Sequence, residues 1–98
     1  MIRHVVLLNW KQDTPDTAIA KVTAGLAELM PQIDEIRHCS FGPDLGLYGN
    51  NADYALVTDF ETAEDFYSYV DDPAHRNLLK HVTGPILASW SSAQFDLH

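Results

Sequence analysis

The alternation of apolar and polar residues predicts four β-strands along the chain. The first covers residues 2–10 and is rich in β-branched and large apolar side chains. Both of its faces are apolar at the centre, so we expect both to be covered in the folded protein. The other three strands are predicted over residues 33–41, 54–60 and 90–97.

Helical spacing and capping residues predict helices between these strands. Thr14 caps a first helix, which ends before Pro31. Thr62 caps a second helix. Asp72, which is followed by a proline, begins a third helix that ends at a Gly-Pro pair. One further helical turn is expected over residues 86–89.

This order of elements, βαββαβ with one extra turn, predicts an α+β fold of the ferredoxin-like type. In that fold, helices cover one face of a four-stranded antiparallel sheet, and we expect a single domain over residues 1–98. The other face is left uncovered, although Val5 and Leu7 lie on it. We therefore expect a homodimer that forms through this sheet face.

The acidic composition narrows the range of partners. Six Lys and Arg residues against 14 Asp and Glu give a net charge of −8, which disfavours binding to nucleic acid and to anionic membranes. No apolar run is long enough to span a membrane and no signal sequence is visible, so we expect a cytoplasmic protein. The single cysteine, Cys39, is interpreted as a small buried apolar residue.

Residues 42–51 form a segment rich in chain-breaking residues, with three glycines, one proline and two adjacent asparagines. Few apolar side chains are available to anchor it. We expect this loop to be the most mobile part of the chain.

Three side chains capable of acid–base chemistry converge on the interior of the predicted fold. His4 lies on an apolar strand face, Tyr69 ends the second helix, and His75 lies in the first turn of the third. A neutral imidazole beside a phenol suits proton abstraction next to a carbonyl, with His75 as the base and Tyr69 as the donor to the developing oxyanion. The helix dipole favours a neutral His75. Each histidine can equally be a buried, hydrogen-bonded core residue.

A ligand pocket beside these residues is expected to be lined by Val6, Leu8, Ile19, Thr23, Leu56 and Ile86. The proposed chemistry needs no cofactor. We expect no metal site either, because His4 and His75 lie on different elements and no acidic residue is placed to complete one.

Three segments together resemble the stress-responsive dimeric α/β-barrel (Dabb) family. They are the opening Met-Ile-Arg-His-Val-Val-Leu-Leu, the run Asp-Tyr-Ala-Leu-Val-Thr-Asp-Phe at residues 53–60, and the element from Tyr69 to Pro73-Ala-His75. The resemblance covers nearly the whole chain. It implies small ferredoxin-like subunits that pair into a dimeric α/β barrel.

The same resemblance implies a set of site residues. A plant polyketide cyclase of this family uses a Tyr and two His, and these positions correspond to Tyr69, His75 and His4. The cyclase carries bulky aromatic residues on its first helix where Ile19, Ala20 and Thr23 fall here. Its substrate is therefore not transferred to this chain.

Three functions are compatible with these features. The first is a cofactor-independent lyase or cyclase acting on an oxygenated or aromatic, polyketide-like compound through His75, Tyr69 and His4. In the second, the same pocket binds such a compound without turnover. The third is a non-catalytic stress-response dimer. A haem-degrading or redox monooxygenase of related barrel shape is less favoured.

Overall fold

The structure is a computed structural model that describes residues 1–98. Its strands are β1 (Ile2–Trp10), β2 (His38–Pro43), β3 (Tyr54–Phe60) and β4 (Leu87–Asp96). Its helices are α1 (Asp16–Leu29), α2 (Ala63–Asp71) and α3 (Pro73–Leu78). A 3₁₀ turn at Met30–Gln32 follows α1, while α3 continues through a π-helical turn at Leu79–Thr83 and a 3₁₀ turn at Gly84–Ile86. None of the helices combines the length and the apolar character that crossing a bilayer requires.

The four strands form one antiparallel sheet in the order β2-β3-β1-β4. The helices pack on one face of this sheet, where the hydrophobic core lies. The predicted ferredoxin-like α+β fold is therefore confirmed. In the central strand β1, His4 lies between Thr58 of β3 and Gln94 of β4. This register carries the His4 side chain into the space between sheet and helices.

The bounds of β1 and β3 agree with the prediction, whereas those of β2 do not. β2 begins at His38 and not at Ile33, because the Ile33 and Ile36 N–H groups are used in successive tight turns. Ile33 is instead a buried core residue. At its other end β2 continues through Pro43, which lacks an N–H but is tolerated because β2 is an edge strand.

The final strand also begins earlier than predicted. The extra helical turn closes at Ile86, whose carbonyl accepts a hydrogen bond of 2.7 Å from the Lys11 N–H. Leu87 then pairs with Trp10, beyond an irregularity in the β1–β4 register. β4 therefore starts at Leu87 and not at Trp90.

The predicted caps of the first two helices have different outcomes. Thr62 Oγ1 accepts a hydrogen bond from the Asp65 N–H at 3.1 Å, which confirms the cap of α2. The cap predicted at Thr14 is wrong, because the Thr14 hydroxyl donates to the Lys11 carbonyl. The N-cap position of α1 is occupied by Pro15, which makes no side-chain capping bond.

The sheet face opposite the helices, hereafter the open sheet face, carries a row of apolar side chains: Val5, Leu7, Ala55, Val57, Ala93 and Phe95. Leu7 is 40% exposed and Phe95 is 50% exposed. At one end of the row, Arg3 and Asp59 form a two-bond ion pair of 2.8 and 2.9 Å. This guanidinium holds the pKa of Asp59 below its usual value. The predicted placement of Val5 and Leu7 on the face away from the helices is thus confirmed.

Candidate functional site

A cavity of about 490 Å³, hereafter the central cavity, lies between the helix-facing side of the sheet and the helices. Its apolar lining consists of Val6, Leu8, Val22, Leu26, Leu56, Phe66, Val70, Leu78, Leu79, Leu87 and Trp90. Polar groups reach it from His4, Tyr67, Tyr69, His75, Thr83, Ser92 and Gln94. A mainly apolar cavity with a few polar groups is the usual form of a small-molecule binding site.

The structure brings His4, Tyr69 and His75 together in this cavity. The ring centroids of Tyr69 and His75 are 4.2 Å apart, and those of His4 and Tyr69 are 6.3 Å apart. All three residues are buried. Both imidazoles therefore lie against the same phenol ring, although the three residues come from three different elements.

The junction of α2 and α3 at Asp72 sets the positions of Tyr69 and His75. The Asp72 N–H donates to the Tyr69 carbonyl at 3.2 Å, where α2 ends. Asp72 Oδ1 then accepts hydrogen bonds from the N–H groups of Ala74 and His75 at 2.9 and 3.0 Å. This confirms the predicted cap of α3, and Pro73 supplies its first residue. With one residue between the helices, the two rings are held in contact.

Burial favours the neutral form of both histidines of the cavity. Burial lowers the pKa of His75 below its usual 6.5, and this outweighs the opposing effects of the Val70 carbonyl and of Asp72. Burial also lowers the pKa of His4, which nearby His75 lowers further. The sequence predicted a neutral His75 from the helix dipole, whereas in the structure burial is the largest cause.

Each of the three residues has one polar atom available to a ligand. Nδ1 of His75 is buried and makes no well-formed hydrogen bond, although the Val70 carbonyl beside the ring raises the pKa of His75. Nε2 is therefore the nitrogen left for a bound molecule. Nδ1 of His4 lies 2.8 Å from Nε2 of Gln94, which leaves Nε2 as the free nitrogen of that ring. Burial raises the pKa of Tyr69 far above its usual 10.0, so its hydroxyl stays protonated and can donate. The site thus combines a neutral base with hydrogen-bond donors.

Three of the predicted lining residues border the central cavity: Val6, Leu8 and Leu56. The other three, Ile19, Thr23 and Ile86, do not line this cavity. The Thr23 hydroxyl is 2.8 Å from the Tyr54 hydroxyl, and this hydrogen bond holds it against β3. Ile19 and Ile86 pack against the hydrophobic core. The residues through which α1 reaches the cavity are Val22 and Leu26.

The contribution of β4 to the cavity was missed from the sequence. Trp90, Ser92 and Gln94 occupy alternate positions of this edge strand and pair with the helix-facing positions of β1. The only sequence signal for this contribution was the alternation of side chains along β4. Two of the three residues are polar, so the pattern resembles that of a solvent-exposed strand face.

Other candidate chemistry is weaker. Burial raises the pKa of the Cys39 thiol to about 11, so the reactive thiolate is disfavoured. The structure contains no group of three or more His, Cys, Asp or Glu side chains arranged as metal ligands.

Comparison with known proteins identifies a family. The family model described as "Stress responsive A/B Barrel Domain" (Dabb) matches residues 2–97. No curated protein matches the chain.

Solved structures of the same fold come from bacteria and from plants. A dimeric ferredoxin-like protein of unknown function from Thermobifida fusca is 35% identical, with a TM-score of 0.91 over 98% of this chain and 90% of that one. A Dabb family protein from Mesorhizobium loti is 13% identical, with a TM-score of 0.82 over 99% and 96% of the two chains. A hydroxynitrile lyase from Passiflora edulis is 19% identical, with a TM-score of 0.83 over 99% and 93%. The similarity to the last two proteins shows only a shared fold.

Proposed function

The chain belongs to the stress responsive A/B barrel (Dabb) domain family, and we propose that its central cavity binds a small oxygenated or aromatic, polyketide-like compound and acts on it by proton abstraction. The reaction would be that of a cofactor-independent lyase or cyclase. The observation that carries this proposal is the contact between the buried rings of Tyr69 and His75, 4.2 Å apart, in a mainly apolar cavity.

The chemistry follows from the protonation states of the residues. Because burial favours the neutral form of His75, its Nε2 can take a proton from a carbon next to a ligand carbonyl. The electron pair that this proton leaves behind moves to the ligand oxygen. The Tyr69 hydroxyl donates a hydrogen bond to that oxygen and stabilises the negative charge. The mainly apolar lining strengthens this interaction, because it lowers the local dielectric constant.

One neighbour supports the class of reaction. The Passiflora edulis protein, which shares the fold, is a hydroxynitrile lyase. The fold therefore accommodates a lyase, and a neutral histidine beside a phenol suits the proton transfers that lyases perform.

We further propose that the active protein is a homodimer formed through the open sheet face. Apolar residues such as Leu7 and Phe95 are partly exposed there in the single subunit. The Thermobifida fusca relative, which matches nearly the whole chain, is described as dimeric. Packing two open sheet faces together would remove these side chains from water.

Binding without turnover is the second candidate, since the mainly apolar lining suits a ligand whether or not it reacts. Calorimetric titration of phenolic and β-keto compounds into the wild type and into Ser92→Phe tests binding in the cavity. Ser92 lines the cavity from an edge strand, so phenylalanine there fills space with little effect on the core. We expect a compound that binds the wild type to show no binding to Ser92→Phe. Equal affinity for both proteins would place the ligand elsewhere and contradict the proposal.

Turnover of any bound compound then separates the two candidates. His75→Ala should lower the rate by about 10²–10⁴-fold, because it removes the base. Tyr69→Phe keeps the ring and removes only the oxyanion donor, so it should lower the rate with a smaller change in affinity. A compound that binds the wild type but is never converted would leave ligand binding as the function.

A further inference from the structure

Gln94 makes the only side-chain hydrogen bond to the acid–base groups of the central cavity, through its Nε2 to Nδ1 of His4 at 2.8 Å. We infer that Gln94 holds His4 in the tautomer that carries its proton on Nε2. His4 would then be a hydrogen-bond donor to the ligand and not a second base. Gln94 is in this sense a positioning residue for the proposed reaction.

The tautomer follows from the hydrogen-bonding capacity of the two groups. The amide nitrogen of glutamine only donates, so the ring nitrogen that faces it must accept. A neutral imidazole has one accepting and one protonated nitrogen, which leaves the proton of His4 on Nε2. The backbone keeps the two side chains adjacent, because Gln94 and His4 are direct cross-strand partners in β4 and β1.

The tautomer assigns different roles to the two histidines. Nε2–H of His4 and the Tyr69 hydroxyl would both donate to the ligand oxygen, while Nε2 of His75 takes the proton. Two donors on one oxygen form an oxyanion site, which is complementary to charge that develops during the reaction. The role in catalysis rests on the proposed function, whereas the tautomer of His4 does not.

Nitrogen NMR of histidine-labelled protein measures the tautomer directly, since protonated and unprotonated ring nitrogens resonate far apart. His4→Ala identifies the His4 signals. In the wild type at pH 7.5 we expect an unprotonated Nδ1 and a protonated Nε2. Gln94→Glu should reverse the two, because a carboxylate accepts from Nδ1–H, and it should raise the pKa of His4. Gln94→Met, which removes the hydrogen bond at similar length, should give a mixture of tautomers.

Ser92→Ala is the matched control, because Ser92 lies two positions along the same face of β4 and has no hydrogen bond to His4. It should leave the His4 signals unchanged. A wild-type His4 with its proton on Nδ1 would overturn the inference. So would a Gln94→Glu spectrum identical to that of the wild type. If Gln94→Glu does not fold, the wild-type and Gln94→Met spectra still decide the question.

Kinetics with a converted compound tests the role of the donor. Gln94→Glu should lower kcat by about 10²-fold, because the His4 donor to the oxyanion is lost, with a smaller change in KM. An unchanged kcat in a variant whose tautomer is reversed would overturn the assigned role of His4. If no compound is bound or converted while His4 shows the expected tautomer, the proposed function fails and the structural role of Gln94 stands.

Discussion

Replacing Leu7 by lysine tests the proposed homodimer at the centre of the open sheet face. Leu7 is 40% exposed in the single subunit. Because complete burial of a leucine side chain contributes about 1.5–3 kcal/mol, burying this remaining part contributes about 0.6–1.2 kcal/mol per subunit. In a two-fold symmetric dimer both copies of Leu7 enter the interface. Leu7→Ala should therefore weaken the dimer by about 1–2.5 kcal/mol, or about 5- to 70-fold in dissociation constant.

Lysine has a larger effect than alanine, because it places a charge in the interface in addition to losing the apolar contact. An unpaired buried charge costs several kcal/mol, and the symmetric dimer contains two of them. We expect the dissociation constant of Leu7→Lys to rise by at least about 10³-fold, measured by sedimentation equilibrium over a concentration series. The isolated subunit should still fold, because a lysine at this position reaches solvent, and circular dichroism checks this.

Ala27→Lys is the matched control, since it adds the same charge on the exposed side of α1. Its dissociation constant should equal that of the wild type. A Leu7→Lys protein that dimerises as tightly as Ala27→Lys would refute an interface on the open sheet face.

Three further predictions concern stability and mobility. Because His4 and His75 have lower pKa values in the folded chain than the usual 6.5, the unfolded state takes up protons first as the pH falls. The free energy of unfolding, measured by urea denaturation, should therefore be highest above pH 6.5. Below pH 6.5 it should decrease by up to about 1.4 kcal/mol per pH unit for each histidine. An equally steep pH dependence of the free energy of unfolding in His75→Ala would contradict this prediction. Asp72→Ala should lower the free energy of unfolding by about 1 kcal/mol through loss of the α3 cap, and no change in the denaturation midpoint would count against that role. Within the predicted loop, residues 44–51, which lie beyond β2, should show the earliest hydrogen exchange, because side chains such as Leu47, 84% exposed, are not anchored. Protection equal to that of β1 in monomeric Leu7→Lys would oppose this prediction.

The parts of the site that could be predicted depend on local signals. Asp72 followed by proline is a start signal that acts within one helical turn, so the position of His75 could be predicted without knowing the fold. The direction of His4 follows from the alternation along β1, and that of Tyr69 from helical spacing. Together with the element order, these signals were enough to predict that His4, Tyr69 and His75 lie close together.

The parts that were missed depend on long-range geometry. The hydrogen bond between Gln94 and His4 joins residues 90 positions apart, and it exists only because β4 pairs with β1 in one particular register. The rotation of α1 is set by its packing, so the apolar pattern alone did not show that Val22 and not Ile19 would reach the cavity. No local pattern in the sequence contains this information.

Deuterium incorporation into a bound β-keto compound is the most direct test of proton abstraction in the central cavity. The compound is incubated with the protein in deuterated water, and NMR follows exchange at the carbon next to the carbonyl. The wild type should accelerate this exchange over buffer, while His75→Ala should lose about 10²–10⁴-fold of the enzymatic rate and still bind the compound. Equal exchange rates in the wild type and His75→Ala, with the compound bound in the cavity of both, would contradict the role of His75 as the base.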